Sequence, residues 1–371
     1  MCAVAERSGS EGETDAPLRV AYTVEQCWHD VPGGTAVAAV TIARELCARP
    51  DLVDLRLVAG RHPNPPDAPF RPPGAVAMLP LGRPWLYETW TRFNWPKVEA
   101  VTGEVDVVHA TGLIPAATNA PLVVTVHDVA FLHDPSQFTG HGVRVMRRSL
   151  QVAARRARFV IGSSRATIAD LVESGIDESR VRFVPLGVDV EPVSQFDVDR
   201  VRRVHALPAE YVLFVGTIEP RKNLRRLVDA MDAIDLPLVV AGSAGWGDVD
   251  VHPQSDVAFL GFVPPPDLRA IYAGASVFAY PSEREGFGLP VAEAMAQGTP
   301  VVTSRGTSTE EVAGGAAVLV DPFDVSSIAG GIECALADRE RLTELGRQRA
   351  AELSWATAAD ATLAVYREVA A

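Results

Sequence analysis

Two glutamates eight positions apart, Glu285 and Glu293, lie in the string YPSEREGFGLPVAEAMAQGTPVVTS, residues 280–304. Pro290 suits the first turn of a helix, because its missing N–H would have been unpaired there anyway. Gly298 suits the position just past the helix end, and 301–304 reads as the next buried strand. Glu285 then falls in the loop before the helix, and Glu293 one turn inside it. Gly286 and Gly288 carry no side chain that would keep a ligand from the backbone. The free N–H groups around Gly286, Phe287, Gly288 and Leu289, at the positive end of the helix dipole, make an anion site. A phosphate held there, with a carboxylate accepting hydroxyl hydrogen bonds on either side, describes a nucleotide-sugar. Glu293 would serve the ribose and Glu285 the hexose. Taken alone, two glutamates also describe a helix with an acidic first turn and nothing more.

A second loop carries complementary charge. Arg221 and Lys222 stand between an apolar strand at 211–215 and an amphipathic helix at 223–231. Cations there, facing the anion-binding helix, would clamp a diphosphate and carry its charge as it leaves; a solvated basic pair is the plainer alternative. In an open α/β sheet ligands gather where strands end. The ends of other predicted strands bring His109 (105–112), His127 with Asp128 (121–132), Gly242 with Ser243 (236–245) and Phe262-Val263 (257–268). A histidine at such a place can equally be a structural hydrogen bonder. Gly33-Gly34 makes a backbone-exposed turn between a strand at 18–26 and a helix at 35–48. It lacks the G-x-G-x-x-G spacing of a nicotinamide-cofactor site.

Together the 280–304 string resembles the E-x7-E signature of the retaining glycosyltransferases of family 4. The resemblance runs from about Leu18 onward and is densest in 212–304. It implies an α/β chain with the GT-B fold, two Rossmann-like domains with parallel sheets facing across a cleft. It also implies a nucleoside-diphosphate hexose donor, GDP-mannose or a relative, with no cofactor. Lys222 matches the family's phosphate-binding lysine and His127, in T-V-H-D, the histidine that touches the donor sugar. Gly33 and Gly34 match the glycine-rich loop near the diphosphate, and Val263 the base-binding segment. Where many relatives have an arginine directly after the glycine of the diphosphate loop, this chain has Thr217, and Arg221 is the candidate second cation. The string G-T-I-E-P-R-K-N resembles the mannosyltransferase branch. The implied reaction moves a hexosyl group to a glycan or glycolipid hydroxyl with retention and without a metal. A nucleotide-sugar-binding protein without transferase activity and another GT-B enzyme, such as a sugar-nucleotide epimerase, are the alternatives; a phosphorylase would need a pyridoxal-binding lysine region that is not seen.

Composition fits this reading. The chain has 371 residues, 47% hydrophobic and 22% charged, which suits two soluble domains. A net charge of −13 argues against nucleic acid as the main partner. Four widely spaced cysteines make no disulfide or metal pattern and agree with a cytoplasmic location. The expected plan is a disordered lead-in at 1–17, an acceptor-binding domain at 18–195 and a linker at 196–208. A nucleotide-sugar-binding domain at 209–353 follows, then a helix at 354–371 crossing back to the first domain. Two features stay open. The 82–96 segment holds three of the six tryptophans, which would be either core or an aromatic acceptor platform. The 144–158 region puts Arg144, Arg147, Arg148, Arg155 and Arg158 on one helix face, either solvated or drawn to an anionic acceptor or the inner membrane surface.

Overall fold

A computed structural model describes residues 16–30, 32–243 and 256–371. The expected lead-in therefore lies almost wholly outside the described residues, as do Ala244 and Gly245. Two parallel sheets succeed one another along the chain. The first contains β1 (Leu18–Thr23), β2 (Val53–Ala59), β3 (Val76–Met78), β4 (Val107–Ala110), β5 (Leu122–Val126), β6 (Ala157–Gly162) and β7 (Val181–Phe183). Their order is β3-β2-β1-β4-β5-β6-β7. The second contains β8 (Val212–Val215), β9 (Leu238–Ala241), β10 (Val257–Gly261), β11 (Val277–Tyr280), β12 (Val301–Ser304) and β13 (Val318–Val320), in the order β10-β9-β8-β11-β12-β13.

Continuous apolar runs such as Leu122–Val126, Leu238–Ala241 and Val277–Tyr280 are buried along their whole length. Strands that read this way are covered on both faces, which is the setting of a parallel sheet with helices on either side. In each sheet the order reverses once, between β1 and β4 and between β8 and β11. Loops leaving neighbouring strands at such a point diverge to opposite faces and leave a crevice at the strands' carboxyl ends.

The last helix, Trp355–Ala370, packs on the Gly34–Cys47 helix of the first sheet unit. Its Tyr366 hydroxyl lies 2.6 Å from His109 Nδ1. Beside the other crossing, Val188 N–H donates to the Leu353 carbonyl at 2.9 Å, so the two strands of chain that join the halves run together.

Three stretches read from the sequence take definite form in the structure. Within the expected linker at 196–208, Gln195–Val204 is a helix capped by Ser194, whose Oγ accepts from Asp197 N–H at 3.2 Å. Val198 and Val201 bury its one apolar stripe against the Pro265–Gly274 helix, and Arg200 pairs with Asp267 at 2.8 Å. Of its four apolar residues, Phe196, Val198, Val201 and Val204, only the middle two are buried, which the sequence alone does not reveal. Next, the arginines do not share one free helix face. The helix is Gly140–Arg156, Arg158 belongs to β6, and Arg148 is bound to Glu88 at 3.0 Å, leaving Arg144, Arg147 and Arg155 exposed. Finally, the tryptophans divide. Trp90 is core at 2% exposure, whereas Trp85 and Trp95 are 68% and 54% exposed, and none of the three lines the cleft cavity.

Candidate active site

The crevice of the second sheet is built from the loops after β8 and β11, which are sewn together. Asn223 Nδ2 donates to the Pro281 carbonyl at 3.0 Å, and Glu283 N–H to the Arg221 carbonyl at 2.8 Å. This places Arg221 and Lys222 against Glu285. Arg221 Nη1 is 2.8 Å from Glu285 Oε2, and its Nε is 2.9 Å from Glu219 Oε2. Lys222 Nζ donates to the Tyr280 hydroxyl at 3.0 Å, and that hydroxyl donates in turn to Glu285 Oε1 at 2.7 Å. Ser282 Oγ adds a bond to the same oxygen at 3.0 Å. Two cations and two carboxylates thus neutralise one another in a nearly buried cluster, where any one of them unpaired would be costly.

The two signature glutamates are held in opposite ways. Burial pushes the Glu285 carboxyl up, but the charges of Arg221 and Lys222 and its hydrogen bonds outweigh that and hold it at about 2. Burial raises Glu293, and the Tyr272 hydroxyl, 2.9 Å from its Oε2, opposes the rise without cancelling it. Glu285 stays ionised with its oxygens already engaged; Glu293 accepts from Tyr272 and has no ion-paired cation among the described residues. Glu293 lies in the Leu289–Ala296 helix, whose N-cap Gly288 has φ +104°, a conformation that side chains disfavour. That turn brings the 286–289 backbone to the wall of the crevice.

The first sheet supplies the opposite wall. His127 and Asp128 follow β5, and Asp128 Oδ1 accepts from Ala130 N–H at 3.1 Å, which fixes the loop rather than the imidazole. Burial lowers the His127 pKa, so a neutral imidazole faces the cleft. Contact between the walls is close at one point, where a Cβ on Gly286 would collide with the His127 carbonyl oxygen.

Between the walls lies a cavity of about 680 Å³. His127, Lys222, Glu285 and Glu293 all line it, as do Gly33, Gly34, Arg221 and the 286–289 turn. Gly242 and Val263 line it beside exposed Phe262, and Thr217 lines it as well. Asp30, Asp67 and Phe70 extend the first-sheet wall, without having been singled out in the sequence. His109 is elsewhere. It is buried in β4 between the Tyr366 hydroxyl and Thr125 Oγ1, 2.7 Å from Nε2, and burial lowers it to about 3; it is a structural hydrogen bonder. Sequence reading also missed Tyr280 and Tyr272, the phenols that orient the two glutamates. Their only signal is place: Tyr280 ends β11, five residues before Glu285, and Tyr272 lies on the helix leading into that strand.

Comparison with known proteins agrees with this architecture. Residues 32–192 match the model described as "Glycosyltransferase Family 4", and residues 196–351 that described as "Glycosyl transferases group 1". O-antigen chain mannosyltransferase B of Escherichia coli is 35% identical over 266 residues, covering 66% of this chain and 70% of the relative. The MMP alpha-(1->4)-mannosyltransferase of Mycolicibacterium hassiacum is 31% identical over 356 residues, covering 83% of each. Among solved structures, Anabaena Alr3699/HepE in complex with UDP and glucose superposes with a TM-score of 0.70 at 19% identity. That match covers 95% of this chain and 100% of the other.

Proposed function

This chain belongs to the glycosyltransferases of the family 4 type, with two Rossmann-like domains, and from that premise we propose a retaining, metal-independent hexosyl transfer. The donor is a nucleoside-diphosphate sugar, with mannose favoured, and the acceptor a hydroxyl of a glycan or lipid-linked glycan. One observation carries the reading: Arg221, Lys222, Glu285 and the amide-rich turn before the Leu289–Ala296 helix meet on one cavity.

In this reading the diphosphate lies against the 286–289 amides and between Arg221 and Lys222. Glu293 accepts from the ribose and Glu285 from the hexose. The bond from the anomeric carbon to the diphosphate breaks, and its electron pair passes to the phosphate oxygen, where both cations offset the new charge. Donor binding exchanges the present partners of those cations, Glu285 and Glu219, for the diphosphate. The sugar passes through an oxocarbenium-like state beside ionised Glu285. An acceptor hydroxyl attacks on the face the diphosphate leaves, its proton going to the departing phosphate oxygen, which retains configuration.

Mannose is favoured because two relatives are named mannosyltransferases and because of the G-T-I-E-P-R-K-N string. A structural neighbour that holds UDP and glucose keeps UDP donors in the test. Exposed Arg144, Arg147 and Arg155 support a peripheral contact with an anionic membrane surface; among the described residues no helix is long and apolar enough to cross one.

The test offers the protein GDP-mannose and a panel of GDP-, UDP- and other nucleotide hexoses, and reads released nucleoside diphosphate with and without a mannosyl-glycan acceptor. Release from GDP-mannose, faster with acceptor, is expected. Binding of a nucleotide-sugar with no release from any donor would leave a binding protein instead.

A further inference from the structure

One helix end of the first domain grips the loop that carries Glu285. The Arg165–Glu173 helix follows β6, and its N-cap Ser164 accepts from Thr167 N–H at 3.0 Å. Thr167 Oγ1 lies 3.0 Å from the carbonyl of His127, in its own domain, and 3.1 Å from the carbonyl of Gly286, in the other. Two carbonyl oxygens facing each other repel, and one hydroxyl proton between them relieves that. Oγ1 keeps its lone pairs occupied by accepting from Ser164 Oγ at 3.0 Å. Ser163 Oγ donates to the Gly286 carbonyl as well, at 3.3 Å.

The same helix end is held from across the cleft. Glu311 Oε2 and Oε1 accept from Arg165 and Ala166 N–H, each at 2.7 Å, which satisfies two amides that a helix start leaves unpaired and sets a negative charge at its positive end. Asp170, one turn further, pairs with Arg284 at 2.9 Å, the residue before Glu285. Glu311 is itself fixed, since Arg349 donates to its backbone carbonyl at 3.1 Å. The bonds from Thr167 and Ser163 to Gly286, from Arg165 and Ala166 to Glu311, and between Asp170 and Arg284 are all lost if the two domains separate.

We propose that Thr167 is a positioning residue that sets His127 in register with the Glu285–Gly286 loop when the domains close, and that Glu311 holds the helix end that carries it. This rests on reading the cavity as the donor site, because the two half-sites so joined are the histidine and the carboxylate wall. Thr167 touches neither donor nor acceptor and lines no part of the cavity.

The test compares wild type, Thr167→Val, Thr167→Ser and Glu311→Gln as full chains. Turnover, donor KM, affinity for free nucleoside diphosphate, melting temperature and small-angle scattering with saturating nucleotide are measured. Thr167→Val keeps shape and removes the hydroxyl, and should lower kcat about tenfold, the scale of one buried hydrogen bond. Nucleotide affinity should stay within about twofold, since the nucleotide wall is intact. Thr167→Ser should recover most of the turnover. With nucleotide bound, Glu311→Gln should scatter as a more extended molecule than wild type. Wild-type kcat in Thr167→Val, no rescue by serine, or a parallel loss of nucleotide affinity would each overturn the proposal. If wild type transfers from no donor, the proposed reaction fails by itself. Scattering then still decides the clamp, and equal dimensions for Glu311→Gln and wild type would reject it.

Discussion

The wall from the second sheet brings Arg221, Lys222, Glu219 and Glu285 into ion pairs of 3.9 Å or less, whereas the wall from the first sheet meets the cavity with backbone at Gly33 and Gly34, the neutral His127 imidazole and the carboxylates of Asp30, Asp67 and Asp128, and with no Lys or Arg among the described residues. The charged wall is organised before any ligand arrives: both loops are cross-bonded, and every charge in them has a partner. The other wall is fixed to it through a few polar bonds at one helix end. Such a division suits a site in which one half must hold and stabilise a diphosphate and the other must admit varied acceptors. It predicts that substitutions on the cation-bearing wall cost more, and cost different things, than substitutions on the other wall.

The largest expected loss is Lys222→Ala. Removing one preorganised charge stabiliser lowers turnover by about 10²–10³-fold. Its charge matters more as the diphosphate leaves than in the bound donor, so kcat should fall more than donor KM rises. Near-normal kcat with a raised KM would assign Lys222 to ground-state binding and erase the contrast between the walls.

Next come the two glutamates, which should fail differently. Glu285→Gln removes the charge beside the transferred sugar and should lower kcat by about 10²-fold, leaving affinity for free nucleoside diphosphate nearly unchanged. Glu293→Gln loses a charge-assisted hydrogen bond to the ribose, about 1.5–3 kcal/mol, and should weaken donor and free nucleotide alike. pH separates them further. Burial raises Glu293 above its ordinary 4.5, so on acidification its ionised form is lost earlier than that of an ordinary carboxyl. Glu285, held at about 2, stays ionised through that window. Nucleotide titration against pH should therefore show an acid-side weakening in wild type that Glu293→Gln abolishes. Glu285 governing nucleotide affinity and Glu293 governing turnover would mean that the donor lies the other way round.

On the first-sheet wall, His127→Ala should lower kcat only about tenfold, the scale of one hydrogen bond to the sugar. Because burial lowers its pKa, the imidazole stays neutral at and above neutral pH, and the wild-type rate should not step at the ordinary histidine value of 6.5. A loss as large as that of Lys222→Ala would put essential proton transfer on this wall.

How much of this was legible follows from what each feature depends on. Strands, the anion-binding turn and the cation loop are local, so residue type and spacing reveal them: Val-rich runs, Gly288 before Pro290, Arg221-Lys222 after an apolar strand. The Gln195–Val204 helix was not legible, because its stability comes from two valines packing on a distant helix and from Arg200 finding Asp267. The fate of 82–96 was hidden for a like reason. Trp90 and Trp85 share one helix, and only the neighbour it packs on decides which is core. Tyr280 and Tyr272 were not legible as site residues, since a phenol's partner is set by tertiary contact. His109 sat at a strand end just as His127 does, and the last helix made the difference by covering it with Tyr366.

The smallest expected effect is that of chelation. A leaving diphosphate needs positive charge, and two sources are possible: side-chain cations or a divalent ion bridging the phosphates. Arg221 and Lys222 are already in the crevice, with burial lowering the arginine's pKa but Glu285 and Glu219 raising it by more, so that its charge is never in question. The cluster is neutral as it stands, and a diphosphate can take the place of carboxylate partners without importing a further cation. Transfer measured in excess EDTA should therefore match the untreated rate to within about twofold, while Lys222→Ala loses its 10²–10³-fold under the same conditions. Collapse of the rate in EDTA, restored by Mg²⁺ or Mn²⁺, would move the leaving-group charge from the charged wall to an ion. The Lys222→Ala loss would then report binding, and the contrast between the walls would have to be redrawn around the metal.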